Sequence, residues 1–156
     1  MPDAPFIAPL VLQFEVTAGV EHAFRTWTEH PTLWWPSGHT LSGDPASIVF
    51  EPQVGGRIYE VDQAGTELLW GRVLLWDPPH RVEYSWHHVF PLDEATHVTV
   101  SFDPSPNTDD SETCVRIEQS GWDAPGDLGR ERREGNTRGW SAVFDFFRDY
   151  LQGESL

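Results

Sequence analysis

Tyr84 and His88 lie in the segment Arg81-Val-Glu-Tyr-Ser-Trp-His-His-Val-Phe90, where a period of two puts Val82, Tyr84, Trp86, His88 and Phe90 on one face. Arg81, Glu83, Ser85 and His87 share the other. If Val82 and Trp86 point into a core, a phenol and an imidazole go with them, a pair able to orient a ligand carbonyl or hydroxyl or to move a proton. Buried groups of this kind are more often satisfied by backbone or water. No catalytic residue is therefore assigned, and Tyr84, His88 and Arg133 stand as secondary candidates. Arg133 and Asn136 precede Trp140 by seven and four residues, on one side of a helix. Arg133 there suits a carboxylate or enolate, with Glu131 or Asp127 as equally good partners. Glu60 adds a carboxylate for the same acid–base chemistry.

Eight tryptophans (Trp27, Trp34, Trp35, Trp70, Trp76, Trp86, Trp122 and Trp140) dominate the apolar content. Trp27 and Trp140 read as core. So many indoles around one core, each needing a partner for its N–H, tend to leave shaped voids. Flat rings lining such a void suit an aromatic or polycyclic guest.

Other chemistries are excluded residue by residue. His87, His88 and His97 raise the question of a metal, but successive strand residues face opposite ways, so His87 and His88 cannot share an ion without a bulge. His87 and His97 have the same outward parity and could meet across a hairpin, yet no His-Glu-x-x-His spacing accompanies them. Neither a metal nor a cofactor is expected. The single Cys114, sharing its strand face with Arg116 and Glu118, reads as a free and inert thiol. All ten basic residues are arginines and none is lysine, which removes Schiff-base catalysis and lysine-dependent phosphate loops. No Gly-x-Ser-x-Gly elbow occurs. Ten basic residues against 25 acidic ones give a net charge of −15, a poor match for nucleic acid or an anionic membrane surface. The acidity reads as a solubility device. No secretory signal and no membrane-spanning run is visible, and a reducing cytoplasmic setting is expected.

The elements that must position these residues follow from patterning. Leu10-Val-Leu-Gln-Phe-Glu-Val16 alternates as a half-buried strand. Gly19 opens a short helix carrying Val20, Ala23, Phe24 and Trp27 at helical spacing. His30-Pro31 starts a second, with Leu33, Trp34 and Trp35, that stops at Pro36. Strands are expected at 47–51, 57–62, 66–76, 81–90, 97–102 and 113–120, with turns at Gly55-Gly56 and Asp77-Pro-Pro79. No helices intervene, so the sheet is antiparallel. Both faces of 66–76 are apolar, which leaves its parity open. Trp140, Val143, Phe144, Phe147 and Leu151 form one stripe on a long final helix. Its start carries Gly129, Gly135 and Gly139, each costing up to ~1 kcal/mol relative to alanine. Residues 1–7 read as a loose arm, 104–112 as a mobile hairpin loop and 152–156 as a tail, all within a single domain. The order describes an α+β helix-grip arrangement, a curved antiparallel sheet wrapped around a long C-terminal helix.

Five stretches in this order carry a family resemblance: Val16–Phe24, His30–Trp35, Val54-Gly-Gly-Arg57, Trp70–Trp86 and Gly139-Trp140. Through them the chain resembles the START-like (SRPBCC) superfamily, in the branch homologous to the C-terminal domain of the activator of heat-shock protein 90 ATPase. Gly19 and Val20 depart from the serine and proline that often open the first helix there. The eukaryotic activator has an additional N-terminal domain for which 156 residues leave no room, so chaperone activation is not expected of this chain. The resemblance implies an apolar cavity between sheet and long helix, and no shared catalytic motif. The tryptophan set, strand parity and the helix stripe together give the ligand-binding candidates Trp35, Tyr84, Trp86, His88, Val100, Phe102, Ile117, Gln119, Asn136, Trp140 and Phe144. The leading functional expectation is a non-enzymatic binder of a small apolar or aromatic molecule, monomeric or homodimeric. The alternatives are an enzyme of cyclase, dehydratase or hydrolase type in the same cavity, and a stress-related co-chaperone-like module.

Overall fold

Alternation of apolar and polar residues makes β1 (Leu10–Val16) a strand buried along one side, with Leu10 and Val16 inside and Val11, Gln13 and Glu15 outside. The computed structural model describes residues 6–88, 90–106 and 111–154, so most of the expected arm and the centre of the expected loop at 104–112 lie outside the described residues. Two short helices follow, α1 (Val20–Glu29) and α2 (Pro31–Trp34), with Pro31 at the start of the second. Six strands come next: β2 (Ser47–Phe50), β3 (Arg57–Val61), β4 (Glu67–Asp77), β5 (Arg81–Trp86), β6 (Thr96–Pro104) and β7 (Thr113–Ser120). The chain ends in α3 (Gly129–Glu154).

The seven strands form one antiparallel sheet in the order β1-β7-β6-β5-β4-β3-β2. The sheet curls as a half-barrel around α3, which packs on β1 and α2, while α1 lies over β6 and β2. This is the helix-grip fold. Trp27 sits at its centre with no exposed surface. Its ring lies 5.0 Å from Trp34, 5.1 Å from Phe147 and 5.9 Å from Phe144. Edge-on and tilted contacts of this kind let aromatic rings fill a core without parallel stacking.

β4 resolves the parity that its sequence leaves open. The pairing with β3 steps over Trp70, and the pairing with β5 steps over Leu74, so two bulges sit in one strand. Each bulge inverts the alternation, which lets Trp70, Val73 and Trp76 all reach the core at a spacing of three. Gly71 lies between them because a Cβ there would come 1.9 Å from the Ser85 carbonyl oxygen.

β5 is shorter than its alternation predicts. It ends at Trp86 rather than continuing to residue 90, because the His87 and His88 amides both turn back to the Trp70 carbonyl, at 3.0 and 2.9 Å. His88 takes a left-handed φ of 51°. The parity argument therefore stops at Trp86. His87, expected to face outward, is 7% exposed and its Nδ1 lies 3.1 Å from the Phe90 carbonyl. His97 instead pairs with Glu83, at 2.9 Å. Among the described residues no group of three His, Cys, Asp or Glu side chains could hold a metal ion. No described helix is long and apolar enough to cross a membrane.

Candidate functional site

The stripe Trp140, Val143, Phe144, Phe147 and Leu151 is buried, as its spacing predicts. Tyr84, Val100, Phe102 and Ile117 are wholly buried and Phe144 nearly so, and none of the five lines the cavity beside the first half of α3. This cavity measures about 820 Å³ and is lined from α3 by residues that include Arg132, Gly135, Asn136, Gly139 and Val143. These five repeat the spacing of the core stripe eight residues earlier, which turns their face roughly a quarter turn around the helix. Gly135 and Gly139 are its floor: a Cβ at Gly135 would meet nothing within 4 Å, and one at Gly139 only the His39 ring, at 3.9 Å. The glycines that weaken the start of the helix are also what opens the space.

The opposite walls come from the turn after α2 and from the end of β5. Trp35, Gly38, His39 and Thr40 form one, and Trp86, His88 and Phe90 the other. Trp140 joins them, 5.2 Å from Trp86 and 6.1 Å from Trp35 between ring centres. Of the candidates named from sequence, Trp35, Trp86, His88, Asn136 and Trp140 thus border one cavity. Gln119 borders only a water-sized pocket of about 10 Å³ behind it. Arg133 points away and donates to the carbonyls of Ala8 and Pro9, at 2.8 and 3.0 Å, pinning the N-terminal segment. Arg132, one position earlier, takes the wall instead, together with Arg138 and His39. Helical spacing contained that signal, since Arg132, Asn136 and Trp140 are four apart, but it could not say which side of the core stripe was hollow.

The aromatic walls are held by hydrogen bonds. Trp35 Nε1 donates to the His39 carbonyl at 3.0 Å. Gln119 accepts from Trp140 Nε1 at 2.8 Å and donates to Thr96 Oγ1 at 2.7 Å, fastening α3 to the sheet. Glu60 is buried but fully engaged: it accepts from the Leu41 amide, the Ser42 amide and hydroxyl, and Trp70 Nε1 at 2.9 Å. Burial works to raise its pKa, yet these bonds outweigh it and hold the carboxyl below the ordinary value. Glu60 is thus a structural anion that orients Trp70, not a free base.

His88 is the titratable group at the heart of the wall. Its ring stacks on Trp86 at 5.0 Å and 5°, and Trp70 meets it edge-on at 4.6 Å. Burial lowers its pKa to about 4, against the opposing pull of the His39 carbonyl and the Glu60 charge, so at neutral pH it is an uncharged imidazole. Its Nε2 is buried without a hydrogen-bond partner among the described residues. Tyr84 offers no comparable handle. Burial pushes its phenol well up, and the Trp27 indole N–H faces it without a well-formed bond. Cys114 is half-buried, and burial, Glu15 and Asp103 all raise its thiol pKa, which leaves it a poor nucleophile.

The family model for the activator of Hsp90 ATPase homolog 1-like protein matches residues 17–152. The chain belongs to this family. Among solved structures, the self-sacrificing resistance protein CalC from Micromonospora echinospora is similar to this family member at 27% identity, covering 94% of this chain and 96% of that one, with a TM-score of 0.71. The anthrahydroquino-gamma-pyrone synthase Txn09 is 33% identical over 95% of this chain and 90% of that one, with a TM-score of 0.57. Protein MLL2253 from Mesorhizobium loti shares the fold at 24% identity, with a TM-score of 0.69 over 95% of this chain and 99% of its own. None of the curated proteins matches the sequence.

Proposed function

We propose that this protein binds a flat aromatic or polycyclic small molecule in the cavity beside α3. The observation that carries the reading is the space itself: about 820 Å³ walled by Trp35, Trp86 and Trp140, inside the range of roughly 300–1,000 Å³ typical of small-molecule sites. Indole faces offer large apolar area at fixed orientation, which suits a planar guest. Similarity to a resistance protein and to a synthase of the same fold supports a small-molecule role. An acidic chain with one free thiol suits a reducing cytoplasm.

One observation favours an enzymatic reading of the same cavity: a neutral imidazole whose buried Nε2 has no partner among the described residues lies in its wall, in a chain 33% identical to a synthase. In that reading the neutral His88 ring hydrogen-bonds a ligand hydroxyl and orients it, without help from Glu60 or Tyr84. Thermal-shift and tryptophan-fluorescence titrations against a panel of flat aromatic compounds test the binding reading. The expected result is a saturable rise in Tm with quenching for at least one ring system. A panel without effect on either signal overturns it.

A further inference from the structure

Four of the ten arginines fall within residues 130–138, and two of them, Arg132 and Arg138, line the cavity. Arg133 is spent on the carbonyls of Ala8 and Pro9, and Arg130 is exposed and off the wall. Facing this pair are Glu131 on the same wall and Glu94 behind it. Glu94 accepts from Arg132 Nη2 at 3.4 Å, well beyond the roughly 2.7–2.9 Å of a tight charge-assisted bond. Arg132 Nη1 is buried with no partner among the described residues, a donor whose desolvation goes uncompensated. The Arg132 guanidinium is also aimed by packing, since its carbon lies 3.5 Å over the Phe90 ring, which itself lines the cavity. His39 and His88 complete the polar edge, and His88, held neutral, offers a hydrogen bond without a charge. A molecule of net charge −15 repels anions at long range. Cations gathered at this aromatic cavity are therefore a local exception.

We infer that the occupant of this cavity is an aromatic acid, its rings between Trp35, Trp86 and Trp140 and its carboxylate or acidic phenol at Arg132 and Arg138. This rests on the ligand-binding reading above and names the chemical class of the ligand. An acid group supplies acceptors to the open donor of Arg132, and the planar fork of arginine favours a planar, bidentate anion. Uncharged aromatics of the same shape fill the slot but leave that donor unpaired.

Two probes with one ring system separate the claims: anilinonaphthalene sulfonate, an anion, and N-phenylnaphthylamine, its uncharged counterpart. Both are titrated against the wild-type chain by tryptophan quenching, with fold checked by circular dichroism. The sulfonate is expected to bind about tenfold or more tightly than the neutral probe, an advantage that shrinks with added salt. Arg132→Gln should remove most of that advantage while leaving the neutral probe within about twofold of wild type. Glu94→Gln, which keeps Arg132 and removes its competing carboxylate, should strengthen sulfonate binding and serves as the decisive variant if Arg132→Gln fails to fold. Equal affinity for the two probes, or sulfonate binding unchanged in Arg132→Gln or unchanged in Glu94→Gln, overturns the acid. Failure of both probes to bind overturns the ligand-binding reading itself, and the acid with it.

Discussion

His88 concentrates the conflicts that folding has to resolve. It takes a left-handed backbone, loses water from its ring and leaves one nitrogen without a partner among the described residues, all to sit flat against Trp86 in the cavity wall. The consequence is a pH dependence with a definite sign. The unfolded chain takes up this proton near the ordinary imidazole value of 6.5 and the folded chain only near 4. Between these values the unfolded state binds more protons, so stability falls as pH falls. In urea titrations, His88→Gln should narrow the gap between the midpoints at about pH 7 and about pH 4.5 relative to wild type; an unchanged gap contradicts the buried neutral imidazole. Gln119 is the other residue on which much depends, because it holds Trp140 and Thr96 together. Gln119→Leu strands the buried Trp140 N–H and should cost roughly 1–3 kcal/mol in chemical denaturation. Of the residues that types and spacing single out, Trp35, Trp86, His88, Asn136 and Trp140 border the cavity, whereas Tyr84, Phe102 and Phe144, chosen by the same parity and stripe, lie in the packed core. Types and spacing also mistake Arg133 for Arg132, because adjacent residues on a helix differ by a turn of about 100°, and only the tertiary fold says which side is hollow.

At the scale of elements, β4 and α3 do the positioning. The sequence of β4 is apolar on both faces because two bulges switch the inward parity between Trp70 and Val73 and back again by Trp76, an arrangement that no single period of two expresses. β5 reads as ten alternating residues but is cut at Trp86, since the Trp70 carbonyl captures the next two amides. That interaction joins residues far apart in the chain and leaves no local mark. α3 was legible as a stripe, and its burial follows from that stripe, although the helix runs beyond it at both ends, from Gly129 to Glu154. The second face, with Gly135 and Gly139, reads locally as weak helix and acquires its meaning only when the opposite wall is in place. Trp140 belongs to both faces: it is 3% exposed and touches Trp27, Trp35 and Trp86. Trp140→Ala should therefore cost roughly 3–5 kcal/mol in denaturant titration, and a loss below about 1 kcal/mol would contradict its place as the anchor of α3.

The whole molecule divides into a filled half and an open half. Around Phe144 and Phe147, α3 is sealed to the sheet by aromatic packing, with Phe14 and Phe144 only 3.8 Å apart. Around Gly135 and Gly139 the same helix stands off the facing walls and leaves the cavity. The helix-grip layout was legible from element order, and the resemblance implied an apolar cavity between sheet and long helix; the cavity found borders the end of β5 and the first half of α3. The account rests on the open half receiving a planar guest. Gly135→Trp tests this most directly, because Gly135 lines the cavity, a Cβ there meets nothing within 4 Å, and the change relieves the helix of a glycine. The measurement is a titration of N-phenylnaphthylamine into wild type and Gly135→Trp, followed by tryptophan quenching. One saturable site in the wild type and none in a folded Gly135→Trp chain is the predicted result, and equal binding by both would contradict it.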